Sequence, residues 1–216
     1  MKKINNKLSA FIMALMLIAV GGCMHENIHE TDPDLKMSEE MEILELTEEG
    51  ANLRINPAVQ NKILAEIRQS TAKYQRLQAA EADGYSLDPH CVEVPGLGGM
   101  GQHAAKLSLV DATVDPSNPE VLLYEPGHNG QFQLVGVEFI VAAAPWDYAN
   151  DGPPMLGNVA FDDHREMVEI DGKLVNAKGG PPFPHYQLHV WVWKNNPRGM
   201  YFPLNPSVSC ADAGGH

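Results

Sequence analysis

The sequence predicts an α+β fold: a mostly antiparallel β-sheet, or a small barrel, with one long N-terminal amphipathic helix. Three observations predict it. A helical apolar period runs without interruption from Asn56 to Ala82. After Tyr85 the pattern changes to short β-rich runs separated by glycine and proline turns. Two of those turns, Gly127-His128-Asn129-Gly130 and Asp171-Gly172, have the composition of tight hairpins.

The chain opens with a targeting pattern rather than with structure. Lys2, Lys3 and Lys7 form a positive region ahead of the apolar run Phe11–Val20, which is too short to span a bilayer as a helix. Val20-Gly21-Gly22-Cys23 then places an aliphatic residue and two small residues before a cysteine. That is the pattern of a bacterial lipoprotein signal. The expectation is cleavage after residue 22, a diacylglycerol on the Cys23 sulfur, and an acyl chain such as palmitate on the new amino terminus. A plain secretory cleavage is the alternative. Met24 follows the cysteine, and the lack of an Asp there favours the outer membrane.

Residues 23–50 read as an acidic tether. Residues 24–50 hold ten acids and one base, Lys36, with no aromatic residue and no sustained apolar period. Without residues 1–22 the chain has 12 basic and 28 acidic residues, a net charge of −16. Such a charge excludes nucleic acid as a partner. The membrane is then reached through the lipid anchor alone, and the remaining partners are a small molecule or another envelope protein. Residues 51–216 are the right size for one domain with its own core.

Within that domain, Asn56-Pro57 reads as an N-cap followed by proline at the first helical position. Ile63, Ile67, Thr71, Tyr74 and Gln78 then form one stripe, widened by Leu64 and Leu77, and Asp83-Gly84 ends the helix. Val121–Tyr124 and Phe132–Val141 are the strands of the first hairpin. Met167–Ile170 and Lys173–Val175 are those of the second. Tyr186–Trp193 is the most strand-like run, and Pro145–Pro154 and Pro181–Pro184 read as loops.

Cys91 and Cys210 are the two cysteines of the domain, and an oxidising compartment makes a disulfide the expectation. Closing a loop of more than 100 residues would stabilise by roughly 4–5 kcal/mol on the chain-entropy argument. The competing reading makes them zinc thiolates joined by His90, without the CxxC-type spacing that preorganises such ligands. Gly96-Leu97-Gly98-Gly99-Met100-Gly101 matches GxGxxG, but Pro95 precedes it and a strand-like alternation follows. A dinucleotide site needs a strand before and a helix after. These glycines are better read as a tight turn that sets His103 in place.

Four polar residues stand out against an apolar background: His103 after the glycine turn, Glu125 at the end of Val121–Tyr124, Glu138 inside Leu134–Val141, and His189 between Leu188 and Val190. A carboxylate at Glu138, inside a β-branched strand, is costly if buried and needs a cation, a donor or a proton. Two imidazoles and a carboxylate form a common shell for zinc or iron. The candidate metal ligands are therefore His103, Glu138 and His189, with Glu125 as runner-up. In the register set by the 127–130 turn, Glu125 faces about Phe132 and Glu138 about Pro119. That separates the two carboxylates by about 20 Å at ~3.3 Å per residue, so one compact centre uses only one of them. His185 shares strand parity with His189 but lies roughly 13 Å along the strand. Gln187, Trp191 and Trp193 share that parity too and are candidate pocket residues. The opposite reading is that these polar residues only satisfy the fold, with Glu138 paired to Arg198 or Lys194. Ser207 and Ser209 lack a nucleophile-elbow setting, so no catalytic residue is assigned.

Several blocks occur together: Ala80-Glu81-Ala82-Asp83-Gly84-Tyr85, Gly99-Met100-Gly101-Gln102-His103, Leu122-Leu123-Tyr124-Glu125-Pro126 and Leu134-Val135-Gly136-Val137-Glu138. A longer one is His189-Val190-Trp191-Val192-Trp193-Lys194-Asn195-Asn196-Pro197-Arg198-Gly199-Met200. With Asn205-Pro206-Ser207-Val208-Ser209-Cys210, they make the chain, from about residue 56 to Cys210, resemble an uncharacterised family of exported bacterial proteins and lipoproteins. That resemblance implies export and a domain boundary, and no particular reaction. The function expected is that of a lipid-anchored envelope protein with a small-ligand or divalent-metal site in its β-domain, or else a non-catalytic structural or interaction lipoprotein.

Overall fold

A computed structural model of the chain describes residues 57–128 and 130–211. The expected lipoprotein signal, Cys23 and the expected acidic tether lie outside the described residues.

The helical run begins as expected, with Pro57 opening helix α1 (Pro57–Thr71). It does not continue as one helix. A 3-10 turn covers Ala72–Gln75, Arg76 is extended, and α2 (Leu77–Ala82) follows. The break is held by side chains that take over helical hydrogen bonding. Thr71 Oγ1 donates to Ile67 O at 2.6 Å, the Tyr124 hydroxyl donates to Tyr74 O at 2.7 Å, and Trp193 Nε1 donates to Thr71 Oγ1 at 3.1 Å. The bend lets Leu64, Ile67, Tyr74, Leu77 and Ala80 all reach the core, whereas Gln78 stays exposed.

The strands are β1 (Ser86–Val94), β2 (Gly98–Ala105), β3 (Val121–Pro126) and β4 (Phe132–Ala142). Helix α3 (Ala143–Ala149) stands where a proline-rich loop was expected; Pro145 lies in its first turn, where a missing N–H costs nothing. Then come a short pair, β5 (Met155–Leu156) and β6 (Val159–Ala160), followed by β7 (Asp162–His164). The predicted Asp171-Gly172 hairpin is β8 (Met167–Ile170) with β9 (Lys173–Asn176). The last strand is β10 (His185–Val190).

Six strands form one sheet in the order β1-β2-β3-β4-β10-β7, every neighbouring pair antiparallel. The sheet curls into a half-barrel and does not close. One face carries the main core, in which Leu122, Tyr124, Val137, Phe139, Leu188 and Val190 pack under the helices. The other face holds a smaller cluster of Val121, Leu123, Val135, Ile140, Trp191 and Val208.

Two registers differ from expectation. Glu125 faces Gln133, and Glu138 faces Val121 rather than Pro119. The hairpin loop takes up one residue more than the turn rule implies, and a bulge at Val135, between the pairs Leu123↔Gly136 and Tyr124↔Leu134, adds another. The Val135 carbonyl accepts the amides of Trp193 and Lys194, at 3.2 and 3.0 Å. That capture ends β10 at Val190, short of the expected Trp193.

Cys91 and Cys210 form a disulfide, with Cα atoms 5.7 Å apart. They are therefore not zinc thiolates. Among the described residues, no helix is long and apolar enough to cross a membrane.

Candidate metal centre

Strand pairing places Glu138 of β4 directly opposite His189 of β10 on one side and Val121 of β3 on the other. His103 of β2 pairs with Leu123, two residues along β3 from Val121, so it shares the face of Glu138 and His189. The curl of the sheet then brings β2 within reach of β4 across Leu123. Glycines make this approach feasible. Gly101 has φ +83° and lies so close to β3 that a Cβ would sit 2.4 Å from Tyr124 O. At Gly136 a Cβ would sit 2.9 Å from Val190 O and 3.2 Å from Trp191 Cε3, so the missing side chain seats the indole.

The result is one tight group. His189 Nε2 lies 3.7 Å from Glu138 Oε1, and His103 Nε2 lies 3.8 Å from Glu138 Oε2. One ligand atom from each of the three residues falls within 4.8 Å of the others. The His103 and His189 rings stand perpendicular with centroids 6.4 Å apart. The side chains of Glu138 and His189 are 5% and 1% exposed, whereas that of His103 is 22% exposed.

The charge states follow from burial. Loss of solvent pushes Glu138 up to about 8, helped by the nearby Glu120. Burial pushes His189 down to about 3, with the charges of His103 and His164 adding to it. His103 is pushed down to about 4, with Asp88 opposing the shift. At neutral pH the group is two neutral imidazoles and a protonated carboxyl.

Its hydrogen bonding is deficient. Both ring nitrogens of His189 are buried without a hydrogen-bond partner, and among the described residues they are the only buried side-chain polar atoms in that state. Each such orphan costs roughly 1–3 kcal/mol. A separation of 3.7 Å is too long for a hydrogen bond. It is close to ligand spacing: two atoms bound about 2.1 Å from one metal at tetrahedral angles lie about 3.4 Å apart. Small side-chain movements would therefore complete a coordination shell.

The remaining candidates fall elsewhere. Glu125 forms an ion pair with Lys194 at 2.5 Å and accepts the Ser209 amide at 3.0 Å. Arg198 stacks over Phe202 at 4.1 Å, so neither proposed cation reaches Glu138. His185 stacks on His164, with centroids 5.3 Å apart, and its ring pairs with Phe183 O and Gln187 Oε1. Gln187 is thereby tied to the His185 cluster. Trp191 packs on the face that bears His189, whereas Trp193 packs against the main core and bonds to Thr71. The three positions share parity only while the strand continues, and it stops at Val190.

Glu120 is a buried carboxyl that the sequence reading did not single out. Its Oε2 accepts the Ile140 amide at 3.0 Å, and burial pushes it up to about 8. It precedes β3 by one residue and extends the β3–β4 ladder with a side chain in place of a carbonyl. The motif that could have found it is an acid directly before the apolar run Val121–Tyr124, which is also an ordinary surface pattern.

No family model, curated protein or solved structure matches this chain.

Proposed function

We propose that this protein is a lipid-anchored envelope protein whose half-barrel domain binds one divalent transition metal ion, zinc or iron, through His103, Glu138 and His189. The observation that carries the metal site is His189: a buried imidazole with no hydrogen-bond partner, its Nε2 directed at a buried carboxyl 3.7 Å away. Coordination removes one of its two unsatisfied atoms and gives the Glu138 carboxylate the cation that burial otherwise denies it. Three protein ligands leave positions open for water or a small exogenous ligand. Val121, Leu123, Ile140 and Trp191 wall the face, and the exposed edge of His103 sets the approach. Water or dioxygen fits such an approach better than a bulky substrate does. The metal supplies Lewis acidity to what binds there.

The anchor rests on Lys2, Lys3, Lys7, the apolar run and Val20-Gly21-Gly22-Cys23. Labelling cells with a fatty-acid analogue checks it: wild type takes up label and Cys23→Ser does not.

The metal site is tested on protein purified without a histidine tag, supplemented in turn with zinc, ferrous, manganous and cupric ions, dialysed and assayed by elemental analysis. One equivalent bound by wild type, and at least a tenfold loss of affinity in His189→Ala and in Glu138→Gln, is the expected result. Failure of wild type to bind any of these ions would leave a group that serves only the fold, and a structural lipoprotein.

A further inference from the structure

We propose that the Cys91–Cys210 disulfide is a redox clamp on access to the metal centre, closed when oxidised and open when reduced. The proposal rests on the metal reading above and concerns the regulation of that same site.

His103 is the partly exposed ligand, so access is decided by what lies beside it. Strand β1 is its outer neighbour across the sheet edge, and there the pairing is irregular. Leu87 pairs with Ala104 and Cys91 with Gln102, leaving Asp88-Pro89-His90 as a bulge alongside His103. The bulge is held from two directions. Gln102 Nε2, one residue before His103, donates to Asp88 O at 3.1 Å and to Pro89 O at 2.8 Å. Cys91, the first residue after the bulge, is bonded to Cys210.

Cys210 ends a strap that reaches over the same face. Asn205 and Gly99 exchange backbone hydrogen bonds of 2.9 and 3.1 Å, and Val208 is buried among Leu123 and Trp191. The Ser209 amide donates to Glu125 Oε1 at 3.0 Å and the Cys210 amide to Glu93 Oε2 at 2.7 Å. Beyond Val208 these two contacts are to exposed backbone, so the covalent bond is the firm attachment of the strap end to β1. One bond therefore ties the end of the strap to the bulge.

Both cysteines are partly accessible, which lets a reductant reach them. The partner required is a dithiol: it delivers two electrons and two protons to the Cys91–Cys210 bond, leaves two thiols here, and becomes a disulfide itself. The strap end and the bulge, now held only by hydrogen bonds, part more readily from β2, and the wider approach exposes His103 while His189 stays buried on β10.

The test compares wild type with Cys91→Ser/Cys210→Ser, a pair that avoids thiol reductants, which would themselves chelate metal. Two readouts are used. In metal-free protein, diethyl pyrocarbonate modification of His103 is followed by peptide mass spectrometry; this readout needs no metal. In loaded protein, release to excess chelator is timed. The clamp predicts at least tenfold faster His103 modification with His189 still protected, amide exchange raised over residues 88–92 and 204–209, and at least tenfold faster metal release at unchanged stoichiometry. His103 modification within twofold of wild type would overturn the clamp even if metal binds. Loss of the folded circular dichroism spectrum in the double variant would overturn it as well, because the bond would then hold the whole domain. If wild type binds no metal, the metal reading fails, and the modification rate still decides whether the bond governs access to His103.

Discussion

His189 and Glu138 are direct cross-strand partners, Nε2 3.7 Å from Oε1, and yet share no hydrogen bond. A pair that served only the fold would close by less than 1 Å and donate, because a protonated Glu138 has a hydrogen to offer and a neutral His189 a lone pair to receive it. The two side chains instead stand apart at a spacing that a bound cation would fill, and His103 completes the triangle.

The metal-free protein should lose stability as pH rises from about 6.5 to 8. Glu138 and Glu120 are each raised to about 8 in the folded state, against roughly 4.3 in an unfolded chain. The folded state therefore holds protons that the unfolded state has released, and each group lowers stability by about 1.4 kcal/mol per pH unit across that window. His103 and His189, held at about 4 and 3, act in the opposite sense below roughly 6.5, where an unfolded histidine takes up a proton. His164, also lowered by burial, adds to the histidine side, so the two carboxyls are at least offset between about 4.5 and 6.5, and only the carboxyls act above. Asp163, held down at about 2 beside Arg165, titrates below this range. Thermal melts should hold level or rise from pH 5 to 6.5 and fall from 6.5 to 8, and Glu138→Gln should halve the slope of that fall.

Metal binding should release one proton at pH 7. Both imidazoles are already neutral there, whereas Glu138, raised to about 8, must ionise to serve as a ligand. Affinity should therefore climb about tenfold per pH unit through neutrality and level off above about pH 8. Titration calorimetry in buffers of different ionisation enthalpy counts the proton. A count near zero at pH 7 would mean that the carboxyl is already ionised or is not a ligand.

Glu138 and His189 were legible because each breaks an apolar strand, and His103 because it follows a glycine turn. Their meeting was not. It depends on the curl that carries β2 over Leu123 and on a register two residues from the turn-based expectation, caused partly by the bulge at Val135. Trp193 shows the same limit: parity along Tyr186–Trp193 holds only until Val135 captures the Trp193 and Lys194 amides. The helix was legible as a buried stripe, but its break after Thr71 depends on Tyr124 and Trp193, more than fifty positions away in sequence. The disulfide was legible from the two cysteines of the domain and the export expected from the first 23 residues.

The two conspicuous glutamates should separate cleanly on mutation. Glu125→Gln should leave metal stoichiometry intact and affinity within about twofold, because its carboxylate is committed to Lys194 and the Ser209 amide. Its effect should be local, with faster amide exchange at Ser209 and a stability loss of about 1 kcal/mol, as for a partly exposed ion pair. Glu138→Gln should do the reverse, abolishing metal binding at a modest stability change, since a neutral amide replaces a carboxyl that is already protonated at pH 7. Equal loss of metal in both variants would place the ion elsewhere.

The position of His103 should depend on Gly101 for steric reasons that a second glycine can isolate. Gly101 and Gly172 both have positive φ, +83° and +74°, so alanine at either position costs about 1 kcal/mol in backbone strain. Their surroundings differ. A Cβ at Gly172 meets nothing within 4 Å, whereas one at Gly101 would sit 2.4 Å from Tyr124 O and 3.0 Å from its carbonyl carbon. Those atoms are backbone in the centre of the sheet and cannot swing aside, so β2 must move away from β3. His103, two residues on, moves with it and leaves the Glu138–His189 pair. Gly172→Ala should therefore lower stability by about 1 kcal/mol with metal affinity unchanged. Gly101→Ala should cost about 2–4 kcal/mol and weaken metal binding at least tenfold in the fraction that remains folded. Chemical denaturation measures the first quantity and chelator competition the second. Unchanged affinity in folded Gly101→Ala would show that His103 does not depend on the close approach of β2 to β3.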